Sequence, residues 1–339
     1  MREPASLWGS RGLRNWLLEA GAPAFPSSLA SAARAAAFDG CEWLQSHLPP
    51  APPLKQPPIF ILGLWRTGTT FAHSLLSAIP GTTAPQSWQC FRPASFRLAT
   101  PPATDARVAR PMDDVEISST SPQEDEFALL LMGLPSLYRG FLDPRRLPQL
   151  ASLLDGGDGD EWVRPFRNFI TAIAAQHPGR MIVKSPNHLF RLAALRRNFP
   201  DSPIVLTLRD PADCYWSNLR MWDAMTTLYG HWPTPPGAIE QFLAQAFEAA
   251  TRRIHELAAL KASGAPVHVC RFEDLAEQPG VTISALASSL GLDLDQAALA
   301  AAIDANRATP RTGKRQIPET LRPVMEALHT ASDRLAAAS

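Results

Sequence analysis

The chain predicts an α/β fold in three layers, with a central parallel sheet between helices and a helical extension at the N-terminus. Three observations carry this expectation. Short, continuously apolar runs recur at 59–64 (IFILGL), 181–183 and 204–208, as in strands covered on both faces. Between the last two runs, Leu189, Leu192, Leu195 and Phe199 keep a helical spacing, so strand, helix and strand imply a parallel crossover. A glycine-containing turn joins the first run to a helical pattern over 69–79, which Pro80-Gly81 stops.

Residues 1–46 read as short helices, one with Leu13, Trp16, Leu17 and Leu18 and a second, Ala-rich one from Leu29 to Leu44. Residues 47–58 (HLPPAPPLKQPP) read as an extended linker, because each proline lacks a donor and biases its predecessor away from the helix. The expected organisation is an extension with its linker over 1–55 and one domain over 56–339. Residues 188–199 supply the crossover helix. A long helix over 238–261 and a strand over 267–272 (VHVCRF) complete a doubly wound pattern.

Composition narrows the function. The 339 residues hold 32 Lys plus Arg and 32 Asp plus Glu, leaving no net charge to hold a nucleic-acid backbone or an anionic membrane. Proline is high, 33 residues, yet 45% of the chain is hydrophobic, which excludes global disorder. The four cysteines lie far apart, with no CxxC pair and no His at zinc spacing, so neither a metal nor a disulfide framework is expected. Without an apolar leader or an 18-residue apolar run, the sequence predicts a soluble, cytoplasmic protein with no membrane anchor.

The segment Gly63-Leu64-Trp65-Arg66-Thr67-Gly68-Thr69-Thr70 joins a strand to a helix, where backbone amides and the helix N-terminus can cradle an anion. It is not the nucleotide-triphosphate loop GxxxxGK[ST], because position 69 is Thr instead of Lys. Arg66 supplies a permanently charged, bidentate alternative. A second anion contact is expected from Arg209 at the end of a strand, with Asp210 capping the helix that Pro211 opens and Ser217 two turns on.

At these residues the chain resembles the sulfotransferases that use 3'-phosphoadenosine 5'-phosphosulfate (PAPS). Residues 65–70 are similar to the family's 5'-phosphosulfate loop, and Arg209 with Ser217 to its 3'-phosphate element. Lys184-Ser185-Pro186 with Phe199-Pro200-Asp201, and Arg271-Phe272-Glu273-Asp274-Leu275, resemble segments of the branch containing many bacterial members and the tyrosylprotein sulfotransferases. The likeness runs from about Pro57 to Arg315 and implies a P-loop-like fold.

The resemblance implies that Arg66, Thr69 and Thr70, with the backbone amides of Thr67, Gly68, Thr69 and Thr70, hold the 5'-phosphosulfate and that Arg209 and Ser217 hold the 3'-phosphate. It further implies that Phe272 abuts the adenine and that Arg311, Gly313 and Lys314 cover the 3'-phosphate. Lys184 would stabilise the leaving nucleotide, with no metal required. The acceptor would be a hydroxyl, less readily an amine, of a small molecule or glycolipid, and the N-terminal helices offer a surface for a homodimer. A non-catalytic PAPS-binding protein and a degenerate P-loop kinase are the alternatives.

The sequence leaves the general base open. Relatives often carry a Glu shortly after the loop, but no acid occurs between Glu42 and Asp105, and the amides of Gln86 and Gln89 cannot accept a proton as a base. Glu124, Asp125 and Glu126 are the first candidates, His188 the next, and Asp113, Asp114 and Glu116 follow. Ser121-Pro122-Gln123-Glu124 also reads as a capping box.

Overall fold

The computed structural model describes residues 28–103, 105–110, 112–113, 115–157, 159–306 and 316–337. Its centre is a parallel sheet of β1 (Ile59–Leu62), β2 (Thr82–Thr83), β5 (Arg180–Lys184), β6 (Ile204–Leu208) and β7 (Val267–Arg271), in the order β2-β5-β1-β6-β7. A small antiparallel hairpin, β3 (Val108–Ala109) and β4 (Glu116–Ile117), stands apart from it.

Alternate residues of each strand enter different cores. Ile59, Ile61, Ile182 and Val205 join one apolar cluster, and Phe60, Leu62, Val183 and Leu206 join the other. Burial on both faces is why these strands are continuously apolar instead of alternating. The first cluster is closed by α1 (Thr69–Leu76), through Ala72, Leu75 and Leu76, and by α2 (Pro279–Leu290), through Ile283 and Leu286. The second is closed by α3 (Val163–Gln176), α4 (Pro211–Tyr229), α5 (Ala238–Ala262) and α6 (Arg322–Ala337). Three layers result, with the loops after β1 and β6 on the carboxyl side of the sheet.

Several local expectations change. Gly68, at φ 90, precedes α1 as its cap, because glycine takes that left-handed conformation without strain. Residues 186–189 form a 3-10 turn before a separate helix at Leu192–Asn198, so the crossover helix is shorter than its apolar spacing suggested. The capping box at 121–124 does not form. Pro122 pairs with Gln86 in an isolated bridge, and the helix Asp125–Leu131 starts after Glu124. The N-terminal pattern at Leu13–Leu18 lies outside the described residues, whereas the Ala-rich pattern is the helix Ser28–Ser46. Gln45 ties that helix to the domain by donating to the Pro93 carbonyl and accepting from the Arg97 amide. Among the described residues, Cys90, Cys214 and Cys270 are buried free thiols and Cys41 is partly buried. No helix among them is long and apolar enough to cross a membrane.

Candidate active site

The site is assembled from the carboxyl ends of four adjacent strands, where α/β sheets place their ligands. The loop after β1 carries Arg66, β5 ends in Lys184, Arg209 follows β6, and Phe272 follows β7.

Glycine is required at two points of the loop. A Cβ on Gly63 would lie 2.2 Å from Thr207 Oγ1, and one on Gly68 would lie 2.6 Å from the Phe272 ring. Arg66 sits between them at φ 70, an uncommon conformation for a non-glycine residue that marks a tightly constrained turn. The Thr67 side chain turns away from the cradle. Its hydroxyl donates to the Leu64 carbonyl (2.7 Å) and lies 2.7 Å from Thr207 Oγ1, and its amide donates to the same carbonyl, so it braces the loop against β6. The amides that open α1 have no partner within the helix, which leaves them able to meet an anion.

The two anion contacts read from distant parts of the sequence converge. Arg66 Nε donates to Ser217 Oγ at 3.0 Å, and Arg209 Nη1 donates to the Arg66 carbonyl at 3.2 Å. Arg209 also lies over the Phe272 ring at 4.4 Å. Its Nε is buried and has no hydrogen-bond partner among the described residues. An orphaned guanidinium N–H beside a glycine cradle fits a phosphate-bearing ligand, since an oxyanion satisfies both.

Sequence reasoning missed Arg110. It donates to Thr70 Oγ1 at 3.3 Å and shares Asp113 with Arg66, the carboxylate accepting 2.6 Å from Arg66 Nη1 and 3.0 Å from Arg110 Nε. Burial works to raise the Asp113 carboxyl, but the hydrogen bonds and charges of Arg110 and Arg66 hold it below the usual range. Asp113 is thus committed as an ion-pair partner, Glu116 lies exposed on β4, and Asp114 lies outside the described residues. An Asp113→Asn chain is expected to bind 3'-phosphoadenosine 5'-phosphate (PAP) several-fold more tightly in calorimetry, because the carboxylate competes for two cations beside the loop. Weaker binding would show instead that Asp113 is needed to orient them.

The three consecutive acids separate completely. Glu124 Oε1 accepts from Lys184 Nζ at 2.6 Å, and Lys184 Nζ is also 3.4 Å from Thr70 Oγ1. Burial holds the Lys184 ammonium below its usual range even against the pull of Glu124. Asp125 pairs with His188 at 2.9 Å, both fully buried. The His188 ring is packed among Phe60, Trp162 and Phe166. Glu126 is held by Arg191 at 2.6 Å and by Ser185. Asp125, Glu126 and His188 lie close enough to suggest a cation site, but the Arg191 guanidinium already meets Glu126 and the group lies away from solvent. Only Glu124 of the three acids faces the loop through Lys184; the other two and His188 are internal pairs. Gln89 Oε1 accepts from the Gln86 amide, while its buried Nε2 has no hydrogen-bond partner among the described residues.

Residues 57–296 match the family model described as the sulfotransferase family. The chain belongs to the sulfotransferase family. Two curated relatives, the omega-hydroxy-beta-dihydromenaquinone-9 sulfotransferases Stf3 of Mycobacterium bovis and of Mycobacterium tuberculosis, are each 31% identical over 249 residues. Those matches take in 70% of this chain and 64% of each relative. The fold is also that of the sulfotransferase STF9 from Mycobacterium avium, at a TM-score of 0.69 and 18% identity over 92% of this chain and 88% of that one. The sulfotransferase STF1 from M. tuberculosis H37Rv follows at 0.56 and 19%, over 91% and 83%. In this sulfotransferase-family chain, the segment holding Arg311, Gly313 and Lys314 lies both beyond the matched region and outside the described residues.

Proposed function

We propose that this chain moves the sulfuryl group of PAPS to a hydroxyl of an apolar small molecule in the cytoplasm. The observation that carries this reading is the placement of Lys184 at the end of β5, between the loop residue Thr70 and the carboxylate of Glu124. Sulfuryl transfer, like phosphoryl transfer, asks mainly for positioning and for charge stabilisation on the oxygens of the transferring group. Arg66, Thr70 and the amides opening α1 would hold the 5'-phosphosulfate, and Arg209 with Ser217 the 3'-phosphate. Phe272, against Gly68 and Arg209, would border the adenine. The acceptor oxygen bonds to sulfur as the bond from sulfur to the bridging oxygen breaks. Glu124 takes the acceptor proton, and Lys184 offsets the charge left on PAP.

The apolar acceptor is supported by a run of aromatic rings that ends at the carboxylate. Exposed Phe91 contacts Phe127 (5.2 Å between centroids), and Phe127 contacts Tyr138 (5.5 Å) beside Glu124. The acceptor in the name of the Stf3 relatives, an omega-hydroxy menaquinone, belongs to the same chemical class of hydroxyl on an apolar body.

Calorimetry with PAP and with ATP, followed by mass spectrometry of PAPS incubated with a set of long-chain primary alcohols, tests the reading. PAP is expected to bind, ATP not to bind, and a sulfated alcohol to form. ATP binding with phosphorylation of an alcohol would point to a kinase. PAP binding without transfer to any alcohol would make the chain a nucleotide-binding protein without turnover.

A further inference from the structure

Tyr138 belongs to none of the motifs that mark the anion site, yet it holds one of the two oxygens of Glu124. Its hydroxyl donates to Glu124 Oε2 at 2.6 Å, while Lys184 Nζ donates to Oε1 at the same distance. The ring is 4% exposed, stacked on Phe141 (4.8 Å, 22° between planes), with Phe127 also in ring contact at 5.5 Å. Burial, and then the charge of Glu124, push the phenol well above its ordinary value, so the hydroxyl keeps its proton and serves Glu124 only as a donor.

The consequence lies in how Glu124 and Lys184 divide their work. A carboxylate free to turn beside a buried ammonium can present both oxygens to it, and a base so engaged is weakened toward its acceptor. Tyr138 keeps Oε2 on its own side. The buried ring stack fixes the hydroxyl, the hydroxyl fixes the carboxylate plane, and Lys184 keeps donors for the loop. A positioning contact of this kind is rigid because the aromatic core fixes it, not because the surface supplies it.

We propose that Tyr138 is a positioning residue for sulfuryl transfer, anchoring Glu124 Oε2 so that the carboxylate stays aimed at the acceptor hydroxyl and apart from full engagement with Lys184. The proposal rests on the reading of Glu124 as the base. In the step itself the acceptor proton passes to Glu124, the oxygen–sulfur bond forms as the sulfur–bridging-oxygen bond breaks, and Tyr138 neither gains nor loses a proton.

The test uses the full chain with PAPS and the primary alcohol that it sulfates fastest, comparing Tyr138→Phe, Glu124→Gln and the double variant. Tyr138→Phe is expected to lower kcat about 10-fold, as loss of one charge-assisted donor does. KM for PAPS and the Kd for PAP should stay within about twofold, since Tyr138 touches neither. Glu124→Gln is expected to lower kcat at least 100-fold, and the double variant no further, because the two residues act as one unit. Tyr138→Leu, which removes the donor with a different shape, should reproduce the kcat loss per folded molecule if Tyr138→Phe folds poorly. Additive losses in the double variant, or a Tyr138→Phe kcat within twofold of the wild type, would overturn the positioning role alone. A fully active Glu124→Gln enzyme, or a wild-type chain that sulfates no alcohol, would overturn the reading beneath it and the role together.

Discussion

Replacing Lys184 by alanine is expected to lower sulfuryl transfer by about 10²–10³-fold while leaving PAP affinity within about threefold. The loss belongs to the transition state, where charge grows on the leaving nucleotide beside the ammonium; PAP itself is held by Arg66, Arg209 and the loop amides in the proposed arrangement. Single-turnover rates and calorimetry with PAP separate the two effects. Equal falls in rate and PAP affinity would make Lys184 a ground-state contact only. The substitution also leaves the largely buried Glu124 carboxylate without its cation, a loss of ~3–5 kcal/mol for buried pairs, so the melting temperature should drop. A Lys184→Ala/Glu124→Gln chain should recover stability and not activity. Because burial depresses the Lys184 ammonium, the wild-type rate should fall on its alkaline side below the range of an ordinary lysine, as the ammonium loses its proton.

Arg209→Ala should have the largest effect on nucleotide binding, lowering PAP affinity about 10–100-fold, the worth of a charge-assisted contact to phosphate. The geometry says where this loss should fall. Arg209 touches the Arg66 carbonyl with one nitrogen and the Phe272 face with its plane, and leaves Nε buried without a partner among the described residues. Adenosine 5'-phosphosulfate, which lacks the 3'-phosphate, should lose far less affinity than PAP. Equal losses for the two nucleotides would transfer Arg209 from the 3'-phosphate to bracing the loop. Phe272→Ala, by contrast, removes the ring that crowds Gly68 and should weaken both nucleotides alike.

Much of the anion site is legible in the amino-acid sequence because its parts are local. A buried strand, a tight turn and a helix are contiguous in the chain, so Gly63, Arg66 and Gly68 stand together in sequence as they do in space. The same is true of Arg209, Asp210 and Pro211, where the Asp210 side chain accepts from the Asp213 amide and Pro211 opens the helix. Thr67 shows the limit of such reasoning. Its residue type suits a phosphate ligand, but its hydroxyl turns inward to Thr207, a neighbour 140 positions later. Arg110 shows the opposite error, since nothing near it in sequence signals a loop contact 40 positions earlier.

The carboxylate proposed as the base is not legible in the same way, and the reason is geometrical. Glu124, Asp125 and Glu126 are adjacent and alike in sequence, yet at the start of a helix successive side chains point in different directions. What separates them is supplied from afar: Lys184 reaches Glu124, His188 reaches Asp125 and Arg191 reaches Glu126. Those three partners lie along the end of β5 and the turn after it, at a spacing that lets one segment pair with all three acids at once. By itself the sequence determined the layered α/β architecture, the glycine cradle and the two arginines, because periodicity, turn chemistry and charge act over a few residues. Only the tertiary structure decided which acid stands beside Lys184 and that Tyr138 holds its other oxygen, because long-range packing alone brings such groups within hydrogen-bonding distance.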